Sequence, residues 1–114
     1  MTGCLFCRIV SKEISSQIVY EDDRCVAFED LNPQAPIHIL VVPRKHLDSL
    51  THATTADRNL LAHLLLTVNQ LAKEKGVVDM GYRTVINTGL MGGQTVYHLH
   101  LHLLAGRPMR WPPG

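Results

Sequence analysis

Three histidines alternate with leucines near the end of the chain, in His98-Leu99-His100-Leu101-His102-Leu103-Leu104. A β-strand has a side-chain period of two, so this spacing puts the histidines on one face and the leucines on the other. At about 3.4 Å of rise per residue, the outer two histidines stand about 13 Å apart along the strand. The leucine face reads as core. The histidine face needs another reason, because each imidazole carries polar nitrogens that want partners. A ring that titrates near neutral pH serves as nucleophile, acid, base or metal ligand. A solvated strand face is one alternative. A metal site is another, since His-x-His on a strand is also ligand spacing. The preceding stretch favours nucleotide chemistry over both. Asn87-Thr88-Gly89 is followed by Gly92-Gly93-Gln94-Thr95. A glycine-rich turn lets main-chain N–H groups approach an anion closely, and this one leads directly into the histidines. Taken alone such a turn is weak evidence, because most only reverse the chain.

A second constellation stands at the start. Cys4-Leu5-Phe6-Cys7 is a CxxC, readable as a redox pair or as half of a zinc site. A thioredoxin-like motif would follow a strand, and three preceding residues leave no room for one. Cys25 lies in the apolar run Cys25-Val26-Ala27-Phe28 and reads as a small buried side chain. Three cysteines are an odd number, so a disulfide framework is not expected.

These residues need elements to position them. Cys7 to Ser11 reads as a short helical turn. Ile18 to Glu21 and Arg24 to Glu29 read as two strands of a hairpin joined at Asp22-Asp23. Asn32-Pro33 and Ala35-Pro36 mark a loop, and Ile37 to Val42 is a β-branched run closed by Pro43. Thr54 with Asp57 resembles a capping box. Leu61, Leu64, Leu65, Val68, Leu71 and Ala72 then follow helical spacing until Gly76. His52 and His63 read as structural. Tyr82 to Asn87 is a further strand, and the last strand carries the histidines. The expectation is an α+β fold, an antiparallel sheet with one main helix, in a single domain over 1–114. Its proline-rich tail, 105–114, is expected to be extended.

Composition narrows the partners. The chain has 114 residues, 46% of them hydrophobic, enough for one ordinary core. Formal net charge is +1 and there is no long basic run, which argues against a nucleic-acid polymer but not against a mononucleotide. No apolar stretch approaches the roughly 20 residues that span a bilayer. No membrane partner is expected, and a cytoplasmic location is the default expectation.

The histidine run resembles the signature of the histidine triad family, His-φ-His-φ-His-φ-φ with φ apolar. The likeness extends from Leu5 to Gly114. It includes Glu21-Asp22-Asp23, Pro33-Gln34-Ala35-Pro36, Val42-Pro43-Arg44-Lys45-His46 and Gly93-Gln94-Thr95-Val96-Tyr97-His98. The ending Trp111-Pro112-Pro113-Gly114 is similar to the Hint branch, the histidine triad nucleotide-binding proteins. The resemblance implies hydrolysis of nucleoside 5′-phosphoramidates and aminoacyl-adenylate-like compounds. It assigns the nucleophile to His100 and the residue beside the leaving group to His102, with His98 and His38 in support. It implies apolar walls for a purine base at Leu5, Phe6, Ile9, Phe28 and Leu31, and ribose contacts at Asp30. Asn87 and the Gly93-Gln94 main chain match ribose and phosphate contacts. Thr95 stands where close relatives have serine, and its hydroxyl is expected to keep the contact.

The CxxC departs from the animal members of that branch. Some bacterial relatives carry it and hold zinc with two further histidines, which match His46 and His98. The resemblance therefore implies a structural zinc on Cys4, Cys7, His46 and His98, no catalytic metal, and a homodimer. Two features fit a dimer independently. The helix from Ala56 to Lys75 has apolar residues, among them Leu60, Leu64, Leu66 and Leu71, on more of its circumference than one core face needs. The strand at Tyr82 to Asn87 could be an edge. The alternatives to a phosphoramidase are a non-catalytic purine nucleotide sensor or scaffold, and a metal hydrolase using the three histidines as ligands.

Overall fold

The computed structural model describes residues 3–114. Helix α1 (Leu5–Val10) precedes a hairpin of β1 (Ile18–Glu21) and β2 (Cys25–Glu29), and β3 (Ile37–Pro43) follows. Two single-turn 3₁₀ segments, Leu50–His52 and Thr55–Asp57, lead into α2 (Arg58–Glu74). Strands β4 (Tyr82–Val85) and β5 (Leu101–Ala105) complete a five-stranded sheet of order β1-β2-β3-β5-β4. Every pairing is antiparallel, so the expected α+β architecture is present.

Alternation along the central strands sorts the two faces. Ile39, Val41, Leu101 and Leu103 point to one face, where they pack with Leu64, Val68 and Leu71 of α2. Each such fully buried side chain contributes about 2 kcal/mol by removal from water. Val26, Phe28, Leu40 and Val42 point to the other face and pack with Phe6 and Ile9 of α1. The small helix and the histidines thus share the face opposite the main helix.

Local chemistry sets the ends of α2. The Asp57 carboxylate accepts from the Thr54 N–H at 2.9 Å, and the Thr54 hydroxyl accepts from the Ala56 N–H at 3.2 Å. This is the expected capping box, displaced onto the 3₁₀ turn that starts the helix. Gly76 ends the helix at φ +71°, in the left-handed region that glycine enters without strain.

Two expectations are corrected. The last strand begins at Leu101, so His98 and His100 precede it and only His102 lies on it. The β3–β5 register would next set His100 opposite Val42 and Leu99 opposite Pro43. Proline has no N–H to extend the ladder, and the Pro43 carbonyl accepts from the His98 ring instead. The alternation of faces survives without the ladder, since Leu99 is buried in the α2-side core. Ala105 closes β5, so the irregular tail starts at Gly106. Among the described residues, no helix is long and apolar enough to cross a membrane.

Candidate functional site

A cavity of about 240 Å³ opens on the α1 face of the sheet. Phe6 and Ile9 come from α1 and Phe28 from β2, and all three are nearly fully buried. Leu5 and Leu31 form its rim, at 44% and 91% exposure. Asp30, Thr95, His100 and His102 line the rest of the expected set. Ile14, Ser15 and Ser16, in the loop between α1 and β1, also line it. Nothing in their types signalled a site; only the return of that loop across the sheet brings them there.

The histidines form a chain whose proton positions follow from their partners. The Gln34 main-chain N–H donates to His38 Nδ1 at 3.0 Å. A neutral His38 therefore carries its proton on Nε2, which lies 2.9 Å from His102 Nδ1. His102 accepts there, so its own proton is on Nε2. That buried Nε2 has no partner among the described residues. A buried N–H without an acceptor costs about 1–3 kcal/mol, and in a cavity wall it marks a place for a ligand oxygen or nitrogen.

His100 has the opposite polarity. Its Nδ1 donates to the His98 carbonyl at 2.7 Å, which leaves the lone pair on Nε2. Burial pushes the pKa of His100 down, with the His98 carbonyl opposing, so the ring is neutral at pH 7 and Nε2 is nucleophilic. Burial also lowers His38, and it pushes His102 down to about 4, helped by the neighbouring His100 and His38. The two rings that face the cavity, 5.0 Å apart between centroids, thus present one lone pair and one N–H.

His98 does not join them. Its Nε2 donates to the Pro43 carbonyl at 2.8 Å, and its Nδ1 faces away from the cavity. That nitrogen lies 3.3 Å from Cys4 Sγ, 3.5 Å from Cys7 Sγ and 3.1 Å from His46 Nδ1. Cys7 Sγ is 3.2 Å from His46 Nδ1. The outer nitrogen of His46 donates to Asp48 at 2.6 Å. When both rings are neutral, their inner nitrogens carry lone pairs that point at each other and at the two thiols, as ligands of a shared cation would. A tetrahedral ion with ligands at about 2.0–2.3 Å spaces its donors roughly 3.3–3.8 Å apart. The separations of 3.1–3.5 Å lie at or just below that spacing, and all four donor atoms lie within 4.8 Å of one another, so the cluster could hold such an ion. Burial, with Cys4 alongside, raises the Cys7 thiol to about 11, and a divalent cation would reverse that penalty by taking up the thiolate.

The glycine-rich turn has an internal framework. A side chain on Gly92 would collide with the Thr88 carbonyl, and Gly93 takes φ +86°. The buried Gln94 side chain accepts from the Gly89 N–H at 2.9 Å and donates to the Asp48 and Val96 carbonyls. Gln94 thereby ties the turn to the loop that carries His46. Asn87, Gly93 and Gln94 are not among the residues lining the cavity, so this turn stands beside it rather than in its wall. His52 and His63 lie away from this cavity. Ser49 and His52 share a hydrogen bond at 2.9 Å, and His63 donates to Asp22 at 2.7 Å.

Comparison with known proteins bears on the family and the fold. A family model described as scavenger mRNA decapping enzyme C-term binding matches residues 3–111. An uncharacterised HIT-like protein of Synechococcus elongatus is 57% identical over 110 residues, 96% of either chain. The crystal structure of a HIT family hydrolase from Legionella pneumophila superposes with a TM-score of 0.97 at 48% identity, covering 98% of this chain and 100% of that one. A histidine triad protein from Clostridium difficile gives 0.93 at 49% identity, with 96% of each chain covered. The sheet, the alternating histidines and these relatives place the chain in the histidine triad family.

Proposed function

We propose that this protein is a hydrolase of the Hint type that cleaves purine nucleoside 5′-phosphoramidates and related adenylates through a nucleotidyl-histidine. The observation that carries this reading is the opposed polarity of His100 and His102 in one cavity wall. An unprotonated nitrogen and an unpartnered N–H are what an in-line displacement at phosphorus with an amine leaving group needs.

The base stacks among Phe6, Ile9 and Phe28, and Asp30 takes the ribose hydroxyls. The His100 Nε2 lone pair attacks the α-phosphorus. The P–N bond breaks with its electron pair on nitrogen, which takes the Nε2 proton of His102. His100, bonded to phosphorus and still protonated on Nδ1, becomes cationic and offsets the negative charge left on the His102 ring. The His38 N–H supports that charge at Nδ1. Water then attacks phosphorus, returns a proton to His102 Nε2, and releases His100 and the nucleoside monophosphate.

Cys4, Cys7, His46 and His98 would hold a structural zinc, which supplies cross-linking between α1, the loop after β3 and the histidine segment. Asp48 and the Pro43 carbonyl orient the two rings from behind. The reading includes a homodimer, supported by Leu65 and Leu66 of α2 at 48% and 64% exposure and by the edge position of β4. It also includes a cytoplasmic setting, where reduced thiols persist.

The rival is a nucleotide sensor that keeps the pocket without turnover. Steady-state kinetics with adenosine 5′-phosphoramidate separates the two. The wild type is expected to turn over, and His100→Asn to lose several orders of magnitude in kcat while still binding nucleotide. Wild-type binding without turnover would favour the sensor.

A further inference from the structure

Asp30 has a second neighbour besides the sugar it is expected to hold. Its Oδ1 accepts from the Asn32 main-chain N–H at 2.8 Å. Its Oδ2 lies 3.4 Å from His38 Nε2. That same nitrogen lies 2.9 Å from His102 Nδ1. The Gln34 N–H occupies the other side of the His38 ring, so His38 has one proton, on Nε2, and two acceptors that compete for it. One acceptor belongs to the sugar end of the cavity and the other to the reacting end.

We propose that Asp30 couples sugar recognition to chemistry: ribose hydroxyls donating to its Oδ2 release the His38 N–H to His102 and so strengthen the N–H that His102 presents to the leaving group. The proposal rests on the phosphoramidase reading for its kinetic part. Hydrogen bonds in a chain polarise one another, so a firmer bond into Nδ1 makes Nε2–H a stronger donor only when that bond also stabilises the ring after the proton has left. His38 meets this condition, because it keeps its N–H aimed at the ring that becomes negative. The Asp30 carboxylate works against the same step. It draws the His38 N–H away, and its own charge disfavours a negative ring nearby. Two hydroxyl donors on Oδ2 weaken both effects.

Asp30 is then a contact for the sugar and, acting through His38, a positioning residue for the reaction. A carboxylate that only binds ribose would change KM alone. Adenosine 5′-phosphoramidate is compared with its 2′,3′-dideoxy counterpart carrying the same leaving amine. Loss of the hydroxyls is expected to lower kcat by about tenfold as well as to raise KM. In Asp30→Asn the kcat gap between the two substrates is expected to shrink to about twofold or less, because the competing charge is gone. A second measurement uses no turnover. In ¹⁵N-histidine-labelled protein, adenosine 5′-monophosphate is expected to shift the His102 Nδ1 resonance further than 2′,3′-dideoxyadenosine 5′-monophosphate does at saturation. Equal kcat values for the two sugars in the wild type, or equal shifts with the two nucleotides, would overturn the proposal. If no phosphoramidate is turned over at all, the functional reading fails while the resonance comparison still decides the coupling.

Discussion

The Phe6 ring stands edge-on to the His100 ring, with centroids 5.0 Å apart and planes at 88°. Phe6 lies between Cys4 and Cys7 in the sequence, is 5% exposed, and also packs on Phe28. One side chain therefore touches His98 of the thiol–imidazole cluster, the apolar wall of the cavity and the His100 ring. Phe6→Ala is expected to cost about 3 kcal/mol or more in stability, through lost burial and an unfilled cavity. It should also raise KM for purine substrates. Denaturant unfolding and steady-state kinetics check the two effects, and a variant with unchanged KM would remove Phe6 from the base pocket.

Metal is the next expectation. Protein prepared without chelator should contain one zinc per chain, and Cys7→Ser should contain less. Stripping the metal is expected to lower Tm by several degrees, since binding energy at such a site is folding energy. Elemental analysis with thiol titration decides the point. A metal-free protein with Cys4 and Cys7 both freely reactive would reject the site.

Stability should depend on pH in two stages. His102 sits at about 4 when folded and near 6.5 when unfolded, so between these values the unfolded chain binds more protons. Stability is therefore present above about pH 6.5 and is lost as pH falls towards 4, by at most about 3 kcal/mol from this ring. The carboxyl of Asp22 is held well below the usual range. Burial pushes it up, but the Arg24 and Cys25 N–H groups, the Tyr20 hydroxyl and His63 outweigh that. Its contribution is present above about pH 4 and is lost below. His102→Gln is expected to shrink the upper stage, to which the buried His38 and His100 also contribute, and Asp22→Asn to cost about 1–3 kcal/mol at pH 7. Unfolding curves from pH 7 to 3 test both; an unchanged upper stage in His102→Gln would contradict the first.

Assembly offers a separate check. Trp111 is 83% exposed in the tail beyond β5. The intact protein is expected to sediment as a dimer, and deletion of 111–114 to leave the dimer intact while changing leaving-group selectivity. A monomeric intact chain, or unchanged leaving-group selectivity after the truncation, would contradict this expectation.

Much of this was legible because residue type and spacing carry it. The leucines at 99, 101 and 103 went to the core and the histidines to the opposite face, as a period of two requires. The strand itself was not legible in full, because its start depends on Pro43, a residue of another strand that cannot donate. His98 illustrates a second limit. Its type suits either a triad or a metal cluster, and only the folded loop after β3, which brings His46 within 3.1 Å, shows which way the ring faces. The tautomer chain through His38 was beyond reach, since it starts at a main-chain N–H of Gln34. Ser15 and Ser16 were missed because hydroxyls in a loop carry no signal of a pocket.

The central claim is covalent catalysis at His100, and intact-mass spectrometry after rapid quenching tests it most directly. Protein mixed with a slow adenosine 5′-phosphoramidate is expected to gain the mass of one adenylyl group, mapped to His100 and absent from His100→Asn. Turnover without any such adduct, or near-normal activity in His100→Asn, would contradict the mechanism.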